Sequence, residues 1–241
     1  MKVMARDLAE KFPNPPVKEV AYEIRFPPDL RILAELYRYQ QTIKDKLPKV
    51  GKVHGFEISL PGGIPSYLEG PWLFEDSEDN LQAKITMNSF AVTSRKHKTF
   101  DRFYPQLKDL TERFIKTYSI PSITRVGLRY INDITLGSDS IGELSRFFVS
   151  PFDHARIRYE DLVSASAEIR RKKGDSFLTL RVSFHQDQEG KTHYVIDTDS
   201  YFERNLPVGD LFRIVETLHD NAIREFHDNI TDAYVERLRK G

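Results

Sequence analysis

The chain has 241 residues, with 36 Lys and Arg balanced by 36 Asp and Glu, 39% hydrophobic and 12% aromatic residues, and no cysteine. This composition excludes a disordered chain, a collagen and a disulfide scaffold, and it removes thiolate metal ligands and a cysteine nucleophile. Zero net charge disfavours bulk nucleic-acid binding, which draws on surplus Lys and Arg. Residues 1–16 contain no apolar run, and 18 apolar residues never occur in succession. Neither a secretory signal nor a membrane span is expected, and the expected setting is the cytoplasm.

In chain order, Asn14-Pro15-Pro16 precedes a strand in which Val20, Tyr22, Ile24 and Phe26 alternate with polar residues. Asp29 can cap a helix from Leu30 to Ile43. A strand over Val53 to Leu60 follows, then a Pro/Gly loop around Gly62-Gly63, then Trp72 to Phe74, an acidic turn and a strand from Leu81 to Met87. The stripe Phe103, Leu107, Leu110, Phe114 predicts a helix that ends before Pro121. In the second half, Ile123 to Ile134 reads as a strand and Ile141 to Val149 as a short helix. Val163 to Arg170, Phe177 to Phe184 and His193 to Asp199 read as three strands, with Asp199 closing the last. A long helix from Asp210 to Ile230 and a short final one complete the chain.

These elements predict an α+β fold made of two tandem β-α-β-β-β-α-like halves, 17–120 and 121–241, after an N-terminal extension, 1–16. The sheet is expected to be mostly antiparallel, with long helices on one face, in a pattern similar to TBP-like and helix-grip folds. The halves share pattern without clear residue identity. They would form either one continuous sheet or two packed lobes.

The Asn14-Pro15-Pro16-Val17-Lys18-Glu19-Val20 segment, and Arg125-Val126-Gly127-Leu128-Arg129-Tyr130-Ile131-Asn132, resemble a sporadically distributed, uncharacterised prokaryotic protein family. Trp72, Phe74, Leu218-His219 and Phe226 fit the same family, so the resemblance spans nearly the whole chain. The family has no established activity, and the resemblance therefore implies no catalytic residues. Its patchy distribution is the habit of mobile or defence-associated genes.

The residues that carry chemistry fall on the predicted polar strand faces. Glu23, Arg25, Glu57, Lys84, Arg125, Arg129, Glu168, Arg170 and Arg181 all project away from the helices if the strand phases hold. Guanidinium forks on such a face suit carboxylate or phosphate groups. Glu23, Arg25, Arg125, Arg129 and Arg181 are thus candidates for binding a protein partner or an anionic ligand, with Glu23 as the expected partner of Arg129. The competing reading is an ordinary solvated face with cross-strand ion pairs. If a second copy covers the face, the same charges would set register in a homodimer, which is the expected assembly. Asn132 lies on the opposite, apolar side, where its amide needs a structural partner.

Glu168, Asp197 and Asp199 form an alternative carboxylate site for a metal-dependent hydrolase or nuclease, with His185 nearby. A small-ligand pocket between sheet and helix is a further alternative. His219-Asp220-Asn221 and His227-Asp228-Asn229 form a doubled tripeptide, but an eight-residue step does not put two ligands on one helix face. Glu216 and His219 have helical ligand spacing without a third ligand. The basic runs Arg95 to Lys98 and Arg170 to Lys173 read as solvated surface. With no phosphate loop, dinucleotide glycine pattern or hydrolase motif, no cofactor is expected, and a non-catalytic binding protein is the leading expectation.

Overall fold

The computed structural model describes residues 12–52, 70–78, 80–96, 99–136, 144–149 and 163–240, together with the backbone of 56–59 and 65–68. The expected extension 1–16 is described from residue 12. Most of the strand expected at Val53 to Leu60, the Gly62-Gly63 loop and the start of the helix expected at Ile141 lie outside the described residues.

The main sheet is built from β1 (Val17–Arg25), β2 (Lys49–Lys52), β5 (Trp72–Glu75), β6 (Leu81–Ile85), β7 (Ser89–Ser94), β8 (Arg125–Leu136), β9 (Ser164–Lys173), β10 (Ser176–Gln186) and β11 (Thr192–Phe202). Two further strands, β3 (Phe56–Ser59) and β4 (Pro65–Leu68), pair only with each other. The nine strands are ordered β2-β5-β6-β7-β1-β8-β11-β10-β9, and every pairing is antiparallel. Of the two arrangements open to the sequence, the chain adopts one continuous sheet. Its centre is the β1–β8 pair, flanked by β7, β6 and β5 on one side and by β11, β10 and β9 on the other.

Period-two burial explains why this sheet has one dry face. In β1, Val20, Tyr22 and Ile24 are fully buried while Ala21, Glu23 and Arg25 are not. In β8, Val126, Leu128, Tyr130, Asn132, Ile134 and Leu136 point the same way. The helices α1 (Leu30–Ala34), α2 (Leu36–Ile43), α3 (Phe100–Tyr118), α4 (Leu144–Phe147), α5 (Leu211–Asp228) and α6 (Asp232–Lys240) supply the apolar side chains that cover that face. Tyr39 of α2 sits at the centre of one cluster, in edge contact with Phe74, Phe90 and Phe114 at ring distances of 6.0, 5.7 and 5.5 Å. Its hydroxyl donates to the Leu110 carbonyl at 3.0 Å, so the buried phenol is satisfied. A second cluster joins β8, β10 and β11 to α4 and α6, with Phe148 stacked on Tyr194 at 3.9 Å.

Three local departures from the sequence expectation have physical causes. The helix expected over Leu30 to Ile43 breaks at Glu35, whose backbone leaves the helical region at φ −118° and ψ 26°. The strand expected to run to Met87 stops at Ile85. Thr86 and Asn88 then tie a tight turn, with the Thr86 N–H donating to the Ser89 carbonyl at 3.0 Å, and β7 returns. β11 continues to Phe202, so Asp197 and Asp199 lie within the strand rather than at its exit. Gly174 and Gly190 adopt positive φ in the turns that close the two hairpins of β9 to β11, where a side chain would be strained. Among the described residues, no helix is long and apolar enough to cross a membrane.

Candidate functional site on the helix-free sheet face

Strand register determines which charges meet. Arg125 lies opposite Arg25, Gly127 opposite Glu23 and Tyr201, Arg129 opposite Asp199, and Asp197 opposite Arg181, which in turn faces Glu168. Residues from five strands, β1, β8, β11, β10 and β9, thus become one band of charge.

The band is linked by ion pairs. Glu23 accepts from Arg25 Nε at 3.1 Å and from Arg125 at 2.9 Å, and Arg125 also donates to Asp199 at 3.1 Å. Arg129 forms a two-pronged contact with Asp197, at 2.7 and 2.6 Å. Arg181 Nε donates to Glu168 at 2.7 Å, and its terminal amino group stands 3.6 Å from Asp197. The partner of Arg129 is therefore Asp197, with Glu23 serving Arg25 and Arg125 instead. The Arg129–Asp197 contact also holds the guanidinium more firmly in its charged form.

Aromatic residues on the same face are a feature that alternation of charge does not disclose. Tyr201 and Phe177 stack at 5.6 Å, and guanidinium groups cover them: Arg125 lies 4.7 Å from the Tyr201 ring and Arg170 lies 4.9 Å from Phe177. Arg125 can lie flat because Gly127 has no side chain. A Cβ at that position would fall 2.7 Å from the Arg125 terminal nitrogen. Beneath this layer, burial pushes the Asp199 carboxyl above its usual range, and Arg125 and Arg129 pull it back only in part. The Asp199–Arg125 contact is real, but desolvation of the carboxylate outweighs it.

Exposure separates the arginines. The Arg125 side chain is 12% exposed, whereas those of Arg25, Arg129 and Arg181 are 52%, 43% and 44% exposed. Arg25 and Arg129 each keep a terminal amino group without a hydrogen-bond partner among the described residues. Lys84 shares the face through the Lys84–Ala91 and Ala91–Glu23 pairings. The side chain of Glu57 lies outside the described residues.

The carboxylates are engaged by arginine rather than grouped with one another. Arg181 stands between Glu168 and Asp197, and Arg129 grips Asp197 with both donors. Among the described residues, no three His, Asp or Glu side chains are arranged to hold a metal ion. His185 is stacked on His193 at 5.1 Å, at the end of the face away from Arg125. A cleft of about 210 Å³, lined by Asn14, Asp133, Thr135, Tyr234 and Arg237 among others, opens where the N-terminal segment and α6 meet the end of β8.

At that end His193 bridges two elements, with Nδ1 2.9 Å from Asp133 of β8 and Nε2 3.3 Å from Asp187 of the β10–β11 turn. Lys18, the extra residue of a bulge in β1, adds a 2.8 Å bond to Asp133. Hydrogen bonding to Asp133 raises the imidazole pKa against a smaller opposing effect of burial. A group whose pKa is raised on folding adds stability that is complete below its unfolded value, about 6.5, and is lost as pH rises through the folded value. Thermal stability should therefore fall between pH 6 and the alkaline side of neutrality, and this slope should flatten in His193→Gln. An equal slope in both proteins would assign the effect elsewhere.

The helix-side candidates have structural partners. Tyr130 hydroxyl and His219 Nδ1 are 2.8 Å apart, and the His219 ring stacks on Phe100 at 3.8 Å; burial lowers the imidazole pKa. Glu216 accepts from Tyr104 at 2.9 Å. The Asn132 amide donates to the Ile196 carbonyl at 3.1 Å inside the sheet, bridging two strands. No family model matches the chain, and no curated protein matches it significantly.

Proposed function

We propose that this is a non-catalytic interaction protein whose helix-free sheet face binds an acidic surface of a partner protein or a single anionic group. The observation that carries the reading is the state of Arg129. Asp197 holds its guanidinium rigid through two bonds, yet 43% of the side chain faces solvent. An arginine fixed in this way loses little further rotamer freedom when it meets a carboxylate or phosphate, which lowers the entropic cost of binding. Arg25 and Arg181 offer similar exposed edges on neighbouring strands. Glu23, Asp197 and Glu168, by contrast, are each engaged by arginine, which is poor preparation for holding a metal ion.

A test must avoid stranding the buried Asp197 carboxylate, so both partners are replaced together. Arg129→Leu with Asp197→Leu removes the pair and suits a strand. Affinity capture from the source cells, quantified against the unmodified protein, should lose its enriched partner while the melting temperature stays within a few degrees. Recovery of the same partner at the same level would remove Arg129 from the interface and with it this reading.

A further inference from the structure

Strand β9 is the last strand of the sheet, ten residues long, and among the described residues β10 is its sole ladder partner. Long open edges usually carry outward charges that prevent pairing with another chain. In β9 Glu168, Arg170, Arg171 and Lys172 are exposed, but three of these four are engaged by partners within their own chain. Arg171 and Lys173 reach back to Glu225 of α5, at 2.6 and 3.6 Å, Arg170 lies over Phe177, and Glu168 binds Arg181.

The sequence of β9 is also complementary to itself. It reads Ser164-Ala165-Ser166-Ala167-Glu168-Ile169-Arg170-Arg171-Lys172-Lys173, small in the first half and basic in the second. If a second copy runs antiparallel with Ile169 opposite its own counterpart, Glu168 faces Arg170 twice, Ala167 faces Arg171, Ser166 faces Lys172 and Ala165 faces Lys173. Opposite charges meet, like charges do not, and the long basic side chains lie across from small ones. Because side chains alternate with period two, a shift by one residue would set the polar face of one copy against the apolar face of the other.

We propose that β9 pairs edge to edge with β9 of a second copy about a two-fold axis at Ile169, joining the two nine-stranded sheets into one. An axis perpendicular to the sheet leaves the helices of both copies on the same side. The charged faces then run together on the other side, with Glu168 of one copy beside Arg170 of the next. The proposal does not depend on what that face binds, since it is read from oligomeric state with no partner present.

The absence of cysteine gives a direct test of the register. Directly opposed residues of an antiparallel pair have Cα atoms about 4.5–5.5 Å apart, within disulfide range. Ile169→Cys should therefore oxidise to a covalent dimer. Ser164→Cys should form no covalent dimer under the same conditions, because ten residues along the strands separate it from its copy, about 34 Å. In sedimentation experiments the unmodified chain should be a dimer, and Glu168→Arg, which sets arginine against Arg170 twice, should weaken it at least tenfold. Adding Arg170→Glu to that variant should restore the opposite charges and the dimer. A monomeric parent chain, a dimer indifferent to Glu168→Arg, or cross-linking of Ser164→Cys equal to that of Ile169→Cys would overturn the proposal.

Discussion

Replacing Arg171 with alanine lowers stability by about 3–5 kcal/mol, because it strands a buried carboxylate. Glu225 projects from α5 with no exposed surface, and the Arg171 guanidinium, at 2.6 Å, is its main partner. Lys173, at 3.6 Å, and the Asn229 amide, at 3.3 Å, complete the surroundings. The two ends of this pair are not equivalent. Arg171 is 43% exposed and regains water if its partner is lost, while Glu225 cannot. Glu225→Leu should accordingly cost much less than Arg171→Ala, and adding Glu225→Leu to Arg171→Ala should recover most of the loss. For a chain of this size the single arginine replacement corresponds to a melting temperature lower by roughly 10 °C. Denaturant unfolding of the two single variants and the double variant provides the measurement. Equal costs for Arg171→Ala and Glu225→Leu would show that the buried charge is not the source of the effect.

The same pair marks the limit of what alternation in a sequence discloses. Period two placed Glu23, Arg25, Arg125, Arg129, Glu168 and Arg181 on one side of the sheet, because one face of each strand must be apolar to meet the helices. Which charge meets which is a property of register between distant strands, so Asp197 rather than Glu23 became the partner of Arg129. Asp197 and Asp199 suggested an end to β11 because aspartate is a poor strand former on its own; two arginines across the ladder reverse that preference. The Arg170 to Lys173 run looked like solvated surface. Half of it covers Glu225, a residue whose spacing from Leu218 and Ala222 already put it on the buried stripe of α5. A glutamate on an apolar stripe is a legible signal of a buried ion pair, although its partner is not.

The arginine face also rests on a fixed scaffold. The aromatic cluster around Tyr39 on one side and the Phe148–Tyr194 stack on the other hold the sheet from beneath, so the guanidinium groups are presented on a surface that need not reorganise. Preorganisation of this kind favours recognition through shape and hydrogen-bond direction over simple charge attraction. This accords with a chain whose net charge is zero.

Gly127→Val should lower stability by about 3–6 kcal/mol, roughly the value of two hydrogen bonds between charged groups. Glycine within a strand usually signals a bulge, a bend or a close approach. Gly127 does not need positive φ, and its pairing with both Glu23 and Tyr201 is regular, so close approach is the reason. The object that approaches is the Arg125 guanidinium, which would lie 2.7 Å from a new Cβ. A β-branched side chain obliges it to move away. It would release Glu23 and Asp199 together, uncover the Tyr201 ring and leave Asp199 in a buried position without its nearest cation. The backbone itself should welcome valine, a good strand former. In an Arg125→Ala background the guanidinium is already gone, so Gly127→Val should there be neutral or stabilising by up to about 1 kcal/mol. The non-additivity of this double-mutant cycle is the readout. If valine costs the same in both backgrounds, the constraint at position 127 lies in the backbone and not in the arginine above it.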